Sequence, residues 1–217
     1  MEEKQLFIKY NQKEDDCGNY IITGNNAKKV NLFIDNKLWS HEYCLFLYGE
    51  SGSGKTHLAN FFTYKNNFSF IRAKDFNLLI NKECIIDNIE NFNYEEKDLL
   101  ASINNAKLYK KRLLLISNIN PYNLNYKLPD LNSRIKAIPI LSLDMPDDAT
   151  LEIIISKEFY LRNIKFDQKI TQYILTHSKR DVNYLKKLID YIDKTILSSY
   201  KKISVQTVAN AMKDFID

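Results

Sequence analysis

An α/β fold is predicted for this chain, a parallel sheet covered by helices and followed by a smaller all-α unit, on three observations. Through the first two thirds, short apolar runs alternate with longer amphipathic ones. A glycine-rich turn, Gly49 to Gly54, stands between one such run and an amphipathic stretch. After Asp144 the chain carries no glycine, and apolar residues recur at helical spacing to the end.

Taken in order, the predicted strands are Cys44 to Tyr48, Phe68 to Arg72, Glu83 to Ile86, Arg112 to Ser117 and a shorter one at Ala137 to Ile140. Most are unbroken apolar runs, as strands buried on both faces are, so a five-stranded parallel sheet is expected. Helices are expected at 26–38, 55–64, 95–107 and 128–136, between the strands. MPDDAT then supplies a proline and an Asp cap, and helices are expected at 148–162, 167–177, 181–200 and 204–215. Ile170, Tyr173 and Ile174, then Leu185, Leu188 and Ile189, form the stripes of a small bundle's core. The expected organisation is a tail at 1–19, an α/β unit at 20–144 and a helical unit at 145–217.

Composition narrows the function classes. At 217 residues with 45% hydrophobic residues, the chain can fill a real core. Its net charge of +4 implies no strong field for nucleic acid or anionic lipid. The three cysteines, Cys17, Cys44 and Cys84, form no CxxC pair and no metal-ligand spacing, which fits free thiols in a reducing compartment. MEEKQLFIKY is not a secretory signal, and no apolar run approaches the roughly 20 residues needed to span a bilayer, so a cytoplasmic protein is expected.

The chemistry concentrates in LFLYGESGSGKTHLANFF, where a buried strand leads into G-x-x-x-x-G-K-T and then a helix. Gly49, Gly52 and Gly54 let the backbone of Gly49, Glu50, Ser51, Gly52, Ser53 and Gly54 wrap phosphate oxygens with inward N–H groups. The helix that carries Lys55, Thr56 and His57 adds its positive dipole end. Lys55 supplies a point charge for the β- and γ-phosphates, and the Thr56 hydroxyl suits a Mg2+ ion. The second metal group is Asp87, at the carboxyl end of the strand ECII, which would act through water. Asn88 stands where many ATPases of this kind place a second carboxylate. An amide cannot accept the attacking water's proton, so slow hydrolysis of ATP to ADP is expected unless Glu90 or a partner supplies the group.

With these motifs the chain resembles the AAA+ ATPases, and within them the DnaA/Hda family, over nearly its full length. NYIITGNNAKKV is similar to the segment that wraps adenine and nominates Ile21, Ile22 and Thr23. LLLISNINPYNL resembles the strand with the polar sensor, Asn118. LPDLNSRIKAIP matches the arginine-finger region and nominates Arg134, and THSKRDVNYLKKLIDYID resembles the lid helix whose second sensor would be Arg180. QLFIKY is similar to the clamp-docking motif of the family's short members, with Gln5, Leu6, Phe7 and Ile8 as contacts, although Lys9 replaces the usual proline.

The resemblance implies an Hda-like regulator, closest to the short members without a helix-turn-helix domain. Such a protein binds ADP or ATP with Mg2+, docks on the DNA polymerase sliding clamp and promotes hydrolysis of ATP held by DnaA. Arg134 would face outward, idle in a monomer, and the same head-to-tail contact between copies would build a homo-oligomer. The sequence ends at Asp217 directly after the lid, so sequence-specific DNA reading is not expected. Competing readings are a helicase loader of the DnaC type, a DnaA-like core without its DNA-binding domain, and a P-loop kinase.

Overall fold

The structure, a computed structural model, describes residues 24–39, 43–66, 68–71, 82–91, 94–199 and 203–215. The predicted contacts at Gln5, Leu6, Phe7 and Ile8 and at Ile21, Ile22 and Thr23 lie outside the described residues, as does Cys17.

Five strands form one sheet in the order β2-β3-β4-β1-β5, with every neighbouring pair parallel. They are β1 (Cys44–Gly49), β2 (Ser69–Ile71), β3 (Cys84–Ile86), β4 (Leu113–Ser117) and β5 (Ile140–Leu143). Successive side chains on a strand point to opposite faces, and the core divides accordingly. Cys44, Phe46, Cys84, Ile86, Leu113 and Leu115 pack on one face with α3 (Glu96–Leu108) and α4 (Pro129–Ala137). Leu45, Leu47, Ile85, Leu114 and Ile116 pack on the other with α1 (Ala27–Ile34) and α2 (Lys55–Asn66). Phe62 of α2 lies at the centre of this second cluster, 4.3 Å from Phe33 and 5.0 Å from Phe68 between ring centroids.

The fifth strand corrects the sequence expectation by three residues. The predicted Ala137 to Ile140 is instead the end of α4 and the approach to a strand at Ile140–Leu143. Pro139 explains the shift. It has no N–H to give a ladder, and it forces Ile138 out of the helical region, with Ile138 at φ −72° and ψ 134°. Its carbonyl still accepts from the Phe46 amide at 2.9 Å, which delivers the chain into register beside β1.

Beyond β5 come α5 (Asp148–Leu161), α6 (Gln168–His177), α7 (Val182–Ser199) and α8 (Val205–Asp214). Side chains cap the starts of these helices, the one at MPDDAT as the sequence suggests. Asp147 accepts from the Thr150 amide, Asp167 from the Lys169 amide, and Ser204 and Thr207 form a reciprocal capping box. The four helices enclose a cluster of their own, with Leu151, Ile155, Phe159, Ile174, Leu185, Leu188, Ile189, Ile192 and Val208 fully buried. None of its residues belongs to either sheet cluster. Among the described residues no helix is long and apolar enough to cross a membrane.

Candidate functional site

β4 lies between β1 and β3 in the sheet, so three carboxyl-terminal strand ends converge at one edge. β1 delivers Gly49 and the glycine loop, β3 delivers Asp87 and Asn88, and β4 delivers Asn118. This is the edge where open α/β sheets hold ligands.

Lys55, the first residue of α2, is buried with 6% exposure. Its ammonium donates to the Gly49 carbonyl, the Glu50 carbonyl and the Asn118 Oδ1, each at 2.8 Å, which uses all three of its protons. Burial lowers its pKa below the ordinary lysine value, partly offset by the negative charges of Asp87 and Glu90. A polyphosphate here would favour the charged form further and replace neutral acceptors with anionic ones.

Beside it, the Thr56 hydroxyl donates to Asp87 Oδ2 at 2.8 Å, and the other Asp87 oxygen accepts the Asn88 amide at 2.9 Å. Among the described residues no group of three or more His, Cys, Asp or Glu side chains could hold a metal by itself. Two protein oxygens side by side nevertheless suit Mg2+, an ion that keeps several waters and takes phosphate oxygens as ligands. The donor set therefore fits a magnesium nucleotide.

Glu90 does something the sequence does not declare. Its Oε1 accepts from the Asn118 main-chain amide at 3.0 Å and from Asn118 Nδ2 at 2.7 Å. Asn118 Nδ2 also reaches Asn88 Oδ1 at 3.3 Å. The Asn118 amide is thus oriented, with its NH2 toward Glu90 and its oxygen toward Lys55. Burial pushes the Glu90 carboxyl up, but the hydrogen bonds given chiefly by Asn118 hold it below the usual glutamate value. Asn88 has φ 53°, a left-handed turn residue with its side chain exposed at the cavity wall.

The glycines are demanded by close approach. A Cβ on Gly49 would stand 2.5 Å from the Leu143 carbonyl oxygen and 2.6 Å from Ser53 Oγ. Gly52 has φ +87°, and a Cβ there would meet Asp181 Oδ2 at 2.5 Å. Asp181 in turn caps α7 by accepting the Tyr184 amide at 2.7 Å, so the first turn of α7 rests on the glycine loop.

Between loop and helices lies a cavity of about 320 Å3. On the core side it is lined by Asn26, residues 51–57, Asn88 and Asn118, so it takes in Ser51, Gly52, Ser53, Gly54, Lys55, Thr56 and His57. On the helical side it is lined by Pro146, Thr150, Ile154, Lys157, Glu158, Val182, Asn183 and Lys186. Asn26 also holds the chain as it leaves β5, donating to the Asp144 carbonyl at 2.8 Å and accepting its amide at 3.0 Å.

Two nominated residues lie elsewhere. Arg180 does not line the cavity; its guanidinium grips Asp148 through two contacts, 2.7 and 3.1 Å, with both side chains about 60% exposed. The physical reason is local, since Asp148 in the first turn of α5 is a nearer and permanent anion. Arg134 is exposed on α4 and is also not a cavity residue. The helical-side wall was missed in the sequence because Thr150, Ile154, Lys157 and Glu158 recur at i, i+4, i+7 and i+8. That spacing signals a buried helix face without saying what it faces.

No family model matches this chain. An uncharacterized protein of Haemophilus influenzae is 25% identical over 225 aligned positions, covering 94% of this chain and 96% of that one. The chromosomal replication initiator protein DnaA of Buchnera aphidicola is 24% identical over 197 positions, covering 78% of this chain but 42% of that protein. The chain therefore spans less than half the length of that relative. Domain III of the Thermotoga maritima replication initiation protein DnaA has a TM-score of 0.77 at 17% identity, covering 91% of this chain and 95% of that one. AMPPCP-bound DnaA from Aquifex aeolicus has a TM-score of 0.70 at 18% identity, covering 89% and 67%. The chain shares the α/β fold of DnaA domain III.

Proposed function

We propose that this DnaA-like AAA+ core binds ATP or ADP with Mg2+ in the cleft between sheet and helical lid, and acts in the control of replication initiation. The observation that carries the reading is the Lys55 ammonium, held by the two loop carbonyls and Asn118 beside the Thr56–Asp87 pair. Each group has a part in it. The loop amides and Lys55 neutralise the β- and γ-phosphates, and Thr56 holds the magnesium ion, with Asp87 behind it acting through water. Asn118 orients the terminal phosphate. The AMPPCP bound by the similar Aquifex DnaA supports an adenine nucleotide as the occupant. With Asn88 next to Asp87 and Glu90 Oε1 taken by Asn118, no carboxylate among the described residues stands beside Thr56 and Asp87 to take a proton from water, so turnover on this chain's own nucleotide is slow.

The regulatory part of the proposal is Hda-like and cytosolic. Gln5, Leu6, Phe7 and Ile8 dock on the sliding clamp, and Arg134 reaches the ATP bound to DnaA, whose hydrolysis leaves the initiator in its inactive ADP form. The exposure of Arg134 on α4 supports this, because an arginine finger has to be presented outward.

Titration calorimetry with ATP and ADP tests the nucleotide site. Lys55→Ala removes at least two charge-assisted contacts worth about 1.5 kcal/mol each, and the expected loss is roughly a hundredfold in Kd. Equal affinity in the wild type and the variant would remove the site. A mixture with ATP-loaded DnaA, clamp and DNA tests the regulatory part. Hydrolysis should accelerate with the wild type and not with Arg134→Ala.

A further inference from the structure

The helical wall of the cleft holds a buried carboxylate, which is an unexpected neighbour for a polyphosphate. Glu158 has a side chain only 7% exposed and lines the cavity. Two cations neutralise it: Arg162, the residue that caps the end of α5, at 2.6 Å, and Lys186, from α7, at 3.5 Å. They are not equivalent. Arg162 makes the short contact, also donates to the Glu158 carbonyl at 3.0 Å, and does not line the cavity. Lys186 makes the long contact, is 36% exposed and does line it. The cleft therefore has a fixed counter-charge for Glu158 and a second cation with room to turn toward an anion.

The direction is set by α7. Its first turn rests on the phosphate loop through Asp181 and Gly52, and Asn183 and Lys186, three residues apart, share the helix face that lines the cleft. Resting on the nucleotide-binding reading above, we propose that Lys186, steadied by Glu158, is the lid cation that contacts the nucleotide's phosphates. Arg180 is a surface ion pair with Asp148 and takes no part. When the phosphates enter, the Lys186 ammonium exchanges a 3.5 Å contact for a direct one, and Arg162 keeps Glu158 compensated. Nucleotide occupancy is thereby read by the packing of α5 against α7.

Binding of ATP and ADP to the full chain, measured by calorimetry, tests the assignment. Lys186→Met should weaken both nucleotides about tenfold, the worth of one charge-assisted contact. Lys186→Arg should restore most of the loss, and Arg180→Ala should stay within about twofold of wild type. The double variant Lys186→Met with Glu158→Gln removes the carboxylate left short of a partner. It should melt like the wild type and still bind weakly. Wild-type affinity in that double variant, or a tenfold loss on Arg180→Ala with none on Lys186→Met, would overturn the assignment. A wild-type chain that takes up neither nucleotide, or one indifferent to Lys55→Ala, would instead remove the underlying site.

Discussion

Replacing Gly52 by alanine tests how α7 is seated on the glycine loop. At φ +87° an L-residue is strained by roughly 1–2 kcal/mol. The new methyl would also lie 2.5 Å from Asp181 Oδ2 and must displace that carboxylate. Asp181 cannot move without cost, because it caps α7 through the Tyr184 amide at 2.7 Å, and a lost cap is worth about 1 kcal/mol. The expected destabilisation is the sum, about 2–3 kcal/mol. Urea unfolding of a double-mutant cycle separates the parts. Asp181→Ala alone should lose about 1 kcal/mol, and adding Gly52→Ala in that background should cost only the backbone share of about 1–2 kcal/mol. A coupling of about 1 kcal/mol between the two positions is therefore expected. If Gly52→Ala costs the same with and without Asp181, the carboxylate does not press on the loop and the seating of α7 is wrong.

Other perturbations have equally definite outcomes. Phe62→Ala opens a void among Phe33, Trp39 and Phe68 and should cost about 3–5 kcal/mol in the same unfolding assay. Arg112 pairs with both oxygens of Glu83 at 2.7 Å and lies over the Phe68 ring at 4.8 Å, so Arg112→Lys should lose about 1–2 kcal/mol despite keeping the charge. The Glu90 carboxyl lies below its ordinary value in the fold. It therefore adds stability above the unfolded glutamate pKa, and that stability is lost as pH falls through the folded one. Glu90→Gln should be less stable than wild type at neutral pH and should close the gap on acidification, as followed by thermal melting against pH.

How far the sequence was legible depended on whether a feature is local. The strands Cys44–Gly49 and Leu113–Ser117 were visible because burial on both faces leaves an unbroken apolar run that needs no partner to be recognised. The glycine loop was visible because Gly52 and Gly54 need positive φ and Lys55 must follow at once. The fifth strand was set too early because Ala137 and Ile138 are apolar, and only the register beside β1 shows that the ladder waits for Pro139 to pass. Glu90 resembled a spare base, but its engagement by Asn118 joins residues 28 positions apart. Arg180 was nominated by motif alone. The cations that line the cleft from the helical side, Lys157 and Lys186, sit within helix faces whose periodicity reads simply as packing.

The separateness of the apolar clusters has a consequence for cooperativity. The four C-terminal helices bury their own oily interior and share none of it with the sheet, and polar contacts such as Asn25 to the Met145 carbonyl at 3.2 Å and Asp181 against Gly52 join the two parts. Each half can melt on its own schedule, and calorimetry of the bare chain should show a broadened or two-step endotherm. An occupant gripped from both sides would act as mortar between two bricks and draw those steps into one. Ligation would then be visible in the shape of the melt as well as in its midpoint.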